Sequence, residues 1–259
     1  MTETSHTEFL KVALDAAKAA RELILSYYSG EFEIEIKADQ TPVTIADRGA
    51  EQLIREKITS AFPGHGIFGE EYGAENKATE YLWLIDPIDG TKSFVKRYGM
   101  FSTQIALMHH GELIVGVSCA PAMNELFWAT RGGGAFDENG QLTISDISSI
   151  EEASISTGNI QSLAASQNWA TLGRVLAACN RTRGYGDFYH YHRLAGGQLD
   201  AVIESDVNIL DIAALYLIVT EAGGVFTDLD GQPPDLNTRS VLAASPLLHA
   251  ALSVEFSPV

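Results

Sequence analysis

An apolar run that stops at two aspartates constrains this chain more than any other stretch. Residues 82–94 read LWLIDPIDGTKSF, so Asp86 and Asp89 follow an apolar segment and precede a glycine and a hydroxyl. The composition of residues 81–85 predicts a buried strand, and the proline and glycine that follow predict a break where it reaches the edge of its sheet. Because α/β proteins bind ligands beyond the carboxyl ends of strands, this break is a candidate active site.

The residue types after this strand suit a metal ion and a phosphate group. Carboxylates in a tight turn offer the hard oxygen ligands that Mg²⁺ prefers. If a helix begins at Gly90 and Thr91, their amides can bind an anion such as a phosphate. An Asp-x-x-Asp-Gly string equally fits a plain strand-to-helix turn in which Asp89 only caps the helix. The spacing alone leaves both interpretations open.

The charge balance excludes some classes of function. The 259 residues include 17 Lys and Arg against 34 Asp and Glu, a net charge of -17, and no basic run interrupts this excess. Nucleic-acid surfaces need clustered Lys and Arg, so a nucleic-acid partner is not expected. Residues 1–6 are polar and acidic, unlike a signal peptide, and no apolar stretch is long enough to span a bilayer. These features predict a cytoplasmic protein without a membrane partner.

Periodicity predicts an α/β protein in two lobes. Residues 1–145 are predicted to form an N-terminal lobe around a mainly antiparallel sheet, and residues 146–259 a C-terminal α/β lobe. Helices are predicted at residues 7–28, 47–62, 164–178, 191–196, 211–222 and 246–255. Strands are predicted at residues 32–37, 81–85, 103–108, 113–120, 125–129, 153–157, 200–204, 225–227 and 241–244. Turns are predicted at residues 39–42 and 181–184.

Four stretches resemble one known family. DPIDGTKSF at residues 86–94 resembles a signature of the inositol monophosphatase superfamily, whose members are Mg²⁺-dependent, lithium-sensitive phosphatases. LDIAA and EAGG within residues 210–224 resemble its second signature, although the family usually has Trp where this chain has Leu210. TPVTIAD at residues 41–47 and GEE at residues 69–71 match two further elements. The resemblance implies a layered α/β fold, the five-layered αβαβα sandwich, and a homodimer.

The resemblance also implies a site for two or three Mg²⁺ ions, with Asp86 contacting two of them. The implied metal ligands are Glu70, Asp86, the Ile88 carbonyl, Asp89 and Asp211. The implied phosphate ligands are the Gly90 and Thr91 amides and Lys92, although Lys92 equally fits a simple solvent-exposed position. Thr91 and Asp47 would orient the attacking water, but Asp47 begins a predicted helix and also fits a plain N-cap. Four carboxylates in one site repel one another unless cations compensate them, which agrees with a metal site.

The substrate is predicted from residues 181–189, RTRGYGDFY. This string resembles the histidinol-phosphate phosphatases of the superfamily, because inositol-type members carry Gly-Ser where this chain has Gly186 and Asp187. A carboxylate gains charge-assisted hydrogen bonds beside an ammonium or an imidazole and gains little beside a polyol. The implied substrate residues are Asp89, Arg183, Asp187, Glu204 and Asp211. The alternative is that Asp187 pairs with Arg183 as a buried structural support.

We therefore expect a Mg²⁺-dependent phosphomonoesterase that hydrolyses L-histidinol phosphate, a small-molecule phosphate ester, during histidine synthesis. The alternatives are an inositol-1-monophosphatase or a related sugar or nucleotide phosphatase, and, more remotely, a non-catalytic protein that binds metal and phosphate. The sequence contains no Gly-x-Ser-x-Gly nucleophile elbow, and its histidines do not have the spacing of zinc ligands. His109 and His110 are expected to diverge. For His190 and His192 a place in a pocket wall stays open, and a surface position is favoured.

Overall fold

The computed structural model describes residues 3–30, 34–36, 42–76 and 78–256. Within these residues the helices are α1 (Glu3–Ser29), α2 (Ile45–Ala61), α3 (Thr91–Val95), α4 (Ile160–Ala165), α5 (Trp169–Ala178), α6 (Asp187–Ala195), α7 (Ile209–Glu221) and α8 (Pro246–Phe256). The strands are β1 (Ile34–Ile36), β2 (Pro42–Thr44), β3 (Gly66–Gly69), β4 (Gly73–Glu75), β5 (Tyr81–Asp89), β6 (Ser102–His109), β7 (Glu112–Ala120), β8 (Glu125–Thr130), β9 (Gly134–Asp137), β10 (Gly140–Gln141), β11 (Ser154–Gly158), β12 (Arg181–Arg183), β13 (Ala201–Ser205), β14 (Val225–Thr227) and β15 (Ser240–Ala244).

The strands form two large sheets and one short hairpin. An eight-stranded sheet has the order β10-β9-β8-β7-β6-β5-β3-β4, and a five-stranded sheet has the order β12-β11-β13-β15-β14. In the larger sheet β3 and β5 run parallel while the other neighbours pair antiparallel, which confirms the prediction of a mainly antiparallel sheet. Strands β1 and β2 pair with each other.

Helices cover both faces of each large sheet and give five layers. Helices α1 and α2 cover the outer face of the larger sheet, α6 and α7 lie between the sheets, and α4, α5 and α8 cover the outer face of the smaller one. The order is αβαβα, which confirms the predicted fold class. Helix α7 is apolar around most of its circumference because it is buried between two sheets. Since α7 contacts both sheets, the division near residue 145 stays a prediction.

A bulge in β5 brings the two central aspartates together. Residues 82–88 are buried, because helices cover both faces of this sheet. The strand continues past its predicted end, and its register with β6 shifts between Asp86 and Asp89. Pro87 lies in this irregular stretch, where a missing amide hydrogen is tolerated, and Thr103 donates to its carbonyl at 2.8 Å. The bulge explains how residues three apart on a strand reach the same side.

Two predictions in the second half of the chain were wrong. The single helix predicted at residues 164–178 is divided into α4 and α5. The Ser166 hydroxyl donates to the Leu163 carbonyl at 2.7 Å and accepts from the Asn168 amide at 3.2 Å, so a local turn replaces the helical ladder. The turn predicted at residues 181–184 begins with β12, which pairs in parallel with β11. Three residues are too few to show the alternation that identifies a strand.

The adjacent histidines at the end of β6 do not diverge as expected. His110 has a φ of +50°, which turns the chain back, and the Nε2 atoms of His109 and His110 lie 2.5 and 3.3 Å from Glu80 Oε1. The strand predicted at residues 32–37 contains β1. The rest of that predicted strand lies outside the described residues. So does the turn predicted at residues 39–42, apart from Pro42. Among the helices described, none is both long and apolar enough to cross a membrane.

Candidate active site

Three carboxylates meet where the bulge of β5 faces the start of α7. Asp86, Asp89 and Asp211 each place one oxygen atom within 4.8 Å of the others. Together with Glu70, from the loop after β3, they line a cavity of about 370 Å³. The structure thus gathers around one cavity the four carboxylates that the sequence analysis assigned to a metal site.

Two candidate residues occupy equivalent positions in different helices. Asp211 accepts hydrogen bonds from the Asn208 amide at 2.9 Å and from Asn208 Nδ2 at 2.6 Å. Asp47 accepts from the Thr44 amide at 2.7 Å and from the Thr44 hydroxyl at 2.6 Å. Each aspartate is the third residue of its helix and completes a capping box, so Thr44 and not Asp47 is the N-cap of α2. Neither Thr44 nor Asn208 was predicted as a cap, although the capping-box spacing identifies both.

Thr91 lies between a carboxylate and a backbone carbonyl. Its hydroxyl oxygen is 3.2 Å from Asp47 Oδ1 and 3.0 Å from the Ile88 carbonyl oxygen. A hydroxyl has one proton and two lone pairs, so it can donate to one of these groups while accepting from a third. Thr91 begins α3 directly after Gly90, whose φ is +85° and where a Cβ would lie 2.7 Å from the Met100 carbonyl oxygen. This turn therefore requires glycine.

Glu70 reaches the cavity from a loop that a buried glutamate holds in place. Glu51 is fully buried on α2, and its carboxylate accepts from the Glu71 amide at 2.6 Å and the Tyr72 amide at 3.3 Å. Arg55 Nε donates to the same carboxylate at 2.7 Å. These three donors satisfy a buried charge and fix the backbone next to Glu70. Glu51 was not predicted, because a glutamate in a helical pattern carries no motif.

A second acidic group adjoins the carboxylate cluster. Asp187, the first residue of α6, and Glu204, on β13, line a small pocket of about 30 Å³. Asp89 and Asp211 line this pocket as well as the main cavity, so the two spaces are neighbours. Lys92 is exposed to solvent. It also lines the main cavity, near the predicted phosphate position.

Both histidines of α6 are fully buried, which corrects their predicted place at the surface. His190 Nε2 lies 3.0 Å from Glu204 Oε2, to which the Tyr191 hydroxyl donates at 2.7 Å. His192 Nδ1 lies 3.0 Å from Glu125 Oε2. Helix α6 begins at Asp187, before its predicted start, and lies between the two sheets. A helix in that layer buries polar side chains that a surface helix would expose, and each must find a partner.

Arg183 lies apart from the acidic groups. Its guanidinium donates to the Thr182 carbonyl at 2.7 Å, and it lines a different cavity of about 140 Å³. Burial and the charge of Glu204 raise the pKa of Asp187, while His190 and Lys92 lower it. Within the described part of the chain, no ion pair joins Arg183 to Asp187. The structure therefore does not bring Arg183 into the group of substrate residues within one chain.

Burial and mutual repulsion favour the protonated forms of these carboxyl groups. Burial first, and then the neighbouring carboxylates, raise the pKa of Asp86 and of Asp89 well above the ordinary value. Burial raises the pKa of Asp211 to about 7, although the hydrogen bond from the Asn208 amide lowers it, and burial raises the pKa of Asp187 to about 6. A divalent cation would compensate this charge, and the all-oxygen donor set fits Mg²⁺.

The family model of the inositol monophosphatase family matches residues 5–257. This chain belongs to the inositol monophosphatase family. It is 37% identical over 257 residues to the histidinol-phosphatase of Mycobacterium tuberculosis, covering 95% of this chain and 96% of that protein. It is 33% identical over 261 residues to the inositol monophosphatase of Dictyostelium discoideum, covering 95% and 94%. A solved structure of the extragenic suppressor protein suhB from Bartonella henselae superposes with a TM-score of 0.89 at 28% identity, covering 96% of this chain and 98% of that one.

Family membership confirms the resemblance found at residues 86–94 and 210–224, and it makes this chain a phosphatase that acts on small phosphate esters. The relatives carry different substrate names. The substrate of this inositol monophosphatase family member is therefore inferred from its own pocket.

Proposed function

We propose that this chain is a Mg²⁺-dependent phosphomonoesterase that hydrolyses L-histidinol phosphate to L-histidinol and phosphate. The observation that carries the proposal is the placement of Asp187 and Glu204 beside the three-carboxylate cluster. When the phosphate of a substrate lies at the cluster, the rest of the substrate lies next to Asp187 and Glu204. Histidinol phosphate has an ammonium and an imidazole there, and both form charge-assisted hydrogen bonds with carboxylates. The name of the Mycobacterium tuberculosis relative supports the same substrate.

The metal assignment rests on the donor set. We assign as metal ligands the carboxylates and the carbonyl that line the main cavity: Glu70, Asp86, Ile88, Asp89 and Asp211. Bound Mg²⁺ would neutralise the carboxylates, lower the pKa of a water molecule and stabilise the leaving oxygen.

The chain's own residues orient water and phosphate. The Thr91 hydroxyl accepts a hydrogen bond from the attacking water and donates its own proton to Asp47 Oδ1, 3.2 Å away. Thr44 binds the other oxygen of Asp47 and so fixes the carboxylate that Thr91 faces. We assign the phosphate oxygens to the amides of Gly90 and Thr91 and to the Lys92 ammonium, which line the same cavity.

An inositol or related sugar phosphatase is the second candidate. The Dictyostelium discoideum relative carries that name, and polyol hydroxyls can donate to the same two carboxylates. The two candidates differ in what the charge of Asp187 contributes, because a polyol has no cation to pair with it.

The Asp187→Asn variant tests this difference. Asp187 has a φ of +49°, which asparagine also tolerates, so the change removes the charge and keeps the backbone. We expect kcat/KM for L-histidinol phosphate to fall by about 10- to 100-fold, the value of a charge-assisted hydrogen bond of roughly 1.5–3 kcal/mol. Inositol 1-phosphate should be hydrolysed no worse than by the wild-type protein.

The matched control is Asp206→Asn, which removes one exposed negative charge from the wall of the main cavity. Asp206, like Asp187, has a positive φ. This variant should leave the ratio of the two kcat/KM values unchanged. An equal fall in kcat/KM for both substrates in Asp187→Asn, together with a lower melting temperature, would show that Asp187 has a structural role and not a recognition role.

The raised pKa values predict that Mg²⁺ and protons compete. The pKa of Asp211 lies near 7 and that of Asp187 near 6 in the folded chain, against an ordinary 3.8, so folding favours their protonated forms. That contribution to stability is present below about pH 4 and is lost as the pH rises through 6 to 7. We expect the increase in melting temperature produced by Mg²⁺ to be larger at pH 8 than at pH 5.5. Calorimetry in buffers of different ionisation enthalpy should show proton release on binding, and binding without release would contradict the prediction.

A further inference from the structure

The three clustered aspartates are held in different ways. Asp86 Oδ1 accepts from the Ile88 amide at 3.0 Å, and Asp211 accepts from the Asn208 amide. The Oδ2 atom of Asp89 instead accepts from the Ser102 hydroxyl at 3.3 Å. The fold fixes the direction of a backbone amide, whereas a hydroxyl rotates. The hydrogen bond to Asp89 therefore depends on the other partners of that serine.

Gln104 is the other partner of this serine. Gln104 Nε2 lies 2.7 Å from Ser102 Oγ and 3.0 Å from Ser118 Oγ, and all three side chains are buried. When the amide donates one hydrogen to each hydroxyl oxygen, the proton of Ser102 is left for Asp89. If the amide were reversed, its oxygen would accept from both serines, and Ser102 would turn away from Asp89. The orientation of one amide group thus decides whether Asp89 receives its hydrogen bond.

A buried chain of hydrogen bonds determines that orientation. Ser118 Oγ lies 2.8 Å from His192 Nε2, and His192 Nδ1 lies 3.0 Å from Glu125 Oε2. Arg193 pairs with the other oxygen of Glu125 and favours its ionised form, which can only accept. His192 therefore carries its proton on Nδ1, Nε2 accepts from Ser118, and Ser118 accepts from Gln104. Burial lowers the pKa of His192, which agrees with a neutral ring.

We propose that Gln104 is a positioning residue that directs the Ser102 hydroxyl onto Asp89, and that Glu125 sets its orientation through His192 and Ser118. These residues form the polar chain Asp89–Ser102–Gln104–Ser118–His192–Glu125. Its far end lines a separate cavity of about 410 Å³, which does not include the carboxylate cluster. The inference rests on the proposed role of Asp89 as a metal ligand. Outer partners of metal ligands typically change metal affinity by about 10- to 100-fold when they are replaced.

The first test changes Glu125, at the end of the polar chain that lies away from the carboxylate cluster. In Glu125→Gln, Arg193 should still bind the side-chain oxygen, which leaves the new NH₂ group facing His192 Nδ1. The imidazole must then accept at Nδ1 and donate from Nε2. This frees the Ser118 proton for Gln104, and we expect the amide to reverse and accept it. Calorimetric titration with Mg²⁺ should show affinity weakened by about tenfold.

The matched control is Glu138→Gln, which removes one negative charge from the wall of the same distant cavity outside the polar chain. Its Mg²⁺ affinity should equal that of the wild-type protein. Equal affinities for the two variants would overturn the inference, because the loss of charge alone would then account for any effect.

Two further measurements separate positioning from general destabilisation. Nitrogen-detected NMR of the metal-free protein should show His192 protonated on Nδ1 in the wild type and on Nε2 in Glu125→Gln. A proton on Nε2 in the wild type would refute the hydrogen-bond directions proposed for the polar chain. Gln104→Met, which keeps the volume and removes the donors, should weaken Mg²⁺ binding as much as Ser102→Ala. The double variant should lose no more than either single one, because both act through one hydrogen bond. Additive losses would refute that coupling.

The titration also distinguishes this inference from the proposed function. A wild-type protein that binds no Mg²⁺ would refute the metal assignment, and this inference with it. A wild-type protein that binds Mg²⁺, with wild-type affinity in Gln104→Met, would refute the polar chain and leave the proposed function intact.

Discussion

Asp86→Asn is expected to lower Mg²⁺-dependent phosphate release by about a thousandfold, because several kcal/mol of transition-state charge stabilisation depends on the bound metal. Asp86 is buried and is one of three converging carboxylates, and the family resemblance implies that it contacts two ions. The change keeps the shape of the side chain and removes one charge from a group of mutually repelling anions. The metal-free variant should therefore melt at the wild-type temperature or above it, so a loss of activity will not reflect unfolding.

Calorimetric titration with Mg²⁺ checks the cause of this loss. Asp86→Asn should bind Mg²⁺ more weakly than Asp89→Asn, because the family resemblance implies that Asp86 contacts two of the ions. Asp206→Asn, in the wall of the same cavity but outside the cluster, should bind normally. An Asp86→Asn protein that binds Mg²⁺ and turns over like the Asp206→Asn control would contradict the metal assignment.

Thr91→Ala should lower kcat by about two to four orders of magnitude, the usual contribution of a positioned proton-transfer group. The hydroxyl joins the water to Asp47, and no other side chain is assigned to that position. The fold should be retained, because alanine is well tolerated in a helix and Asp47 keeps both hydrogen bonds from Thr44. The rate should be measured with substrate and Mg²⁺ both saturating.

Thr91→Ser is the control, since it keeps the hydroxyl and removes only a methyl group. It should retain most of the wild-type rate. An alanine variant that matches the serine variant would remove Thr91 from the mechanism.

The site could be predicted from sequence where its residues lie in continuous strings. Asp86 and Asp89 follow a buried strand, and Asp211 lies in a second string, so the spacing and the resemblance together predict that the three lie near one another. The bulge that aligns Asp86 with Asp89 was not foreseen, because pairing with β6 decides the register and the local sequence does not.

The residues that sequence reasoning missed act through tertiary contacts. Glu51 binds amides that lie 20 and 21 positions along the chain. Gln104 and His192 meet through Ser118 from different layers, so no sequence window contains the polar chain. Arg183 shows the opposite case: it lies close to Asp187 in sequence, but it lines another cavity, and its assignment to the substrate stays a prediction. The α/β class was predictable because helical and strand periodicity reports burial, whereas the five-layered order was implied by the family resemblance. Partners across layers leave no periodic signal.

The most direct test of the proposed function is the rate of phosphate release from L-histidinol phosphate and from inositol 1-phosphate, each with Mg²⁺ and with excess chelator. The proposed function predicts that kcat/KM for L-histidinol phosphate is higher by about tenfold or more, since a polyol lacks the cationic groups that form charge-assisted hydrogen bonds with Asp187 and Glu204. It also predicts that chelation abolishes both activities. Equal or higher kcat/KM for inositol 1-phosphate would contradict the substrate, and full turnover in excess chelator would contradict the metal-dependent mechanism.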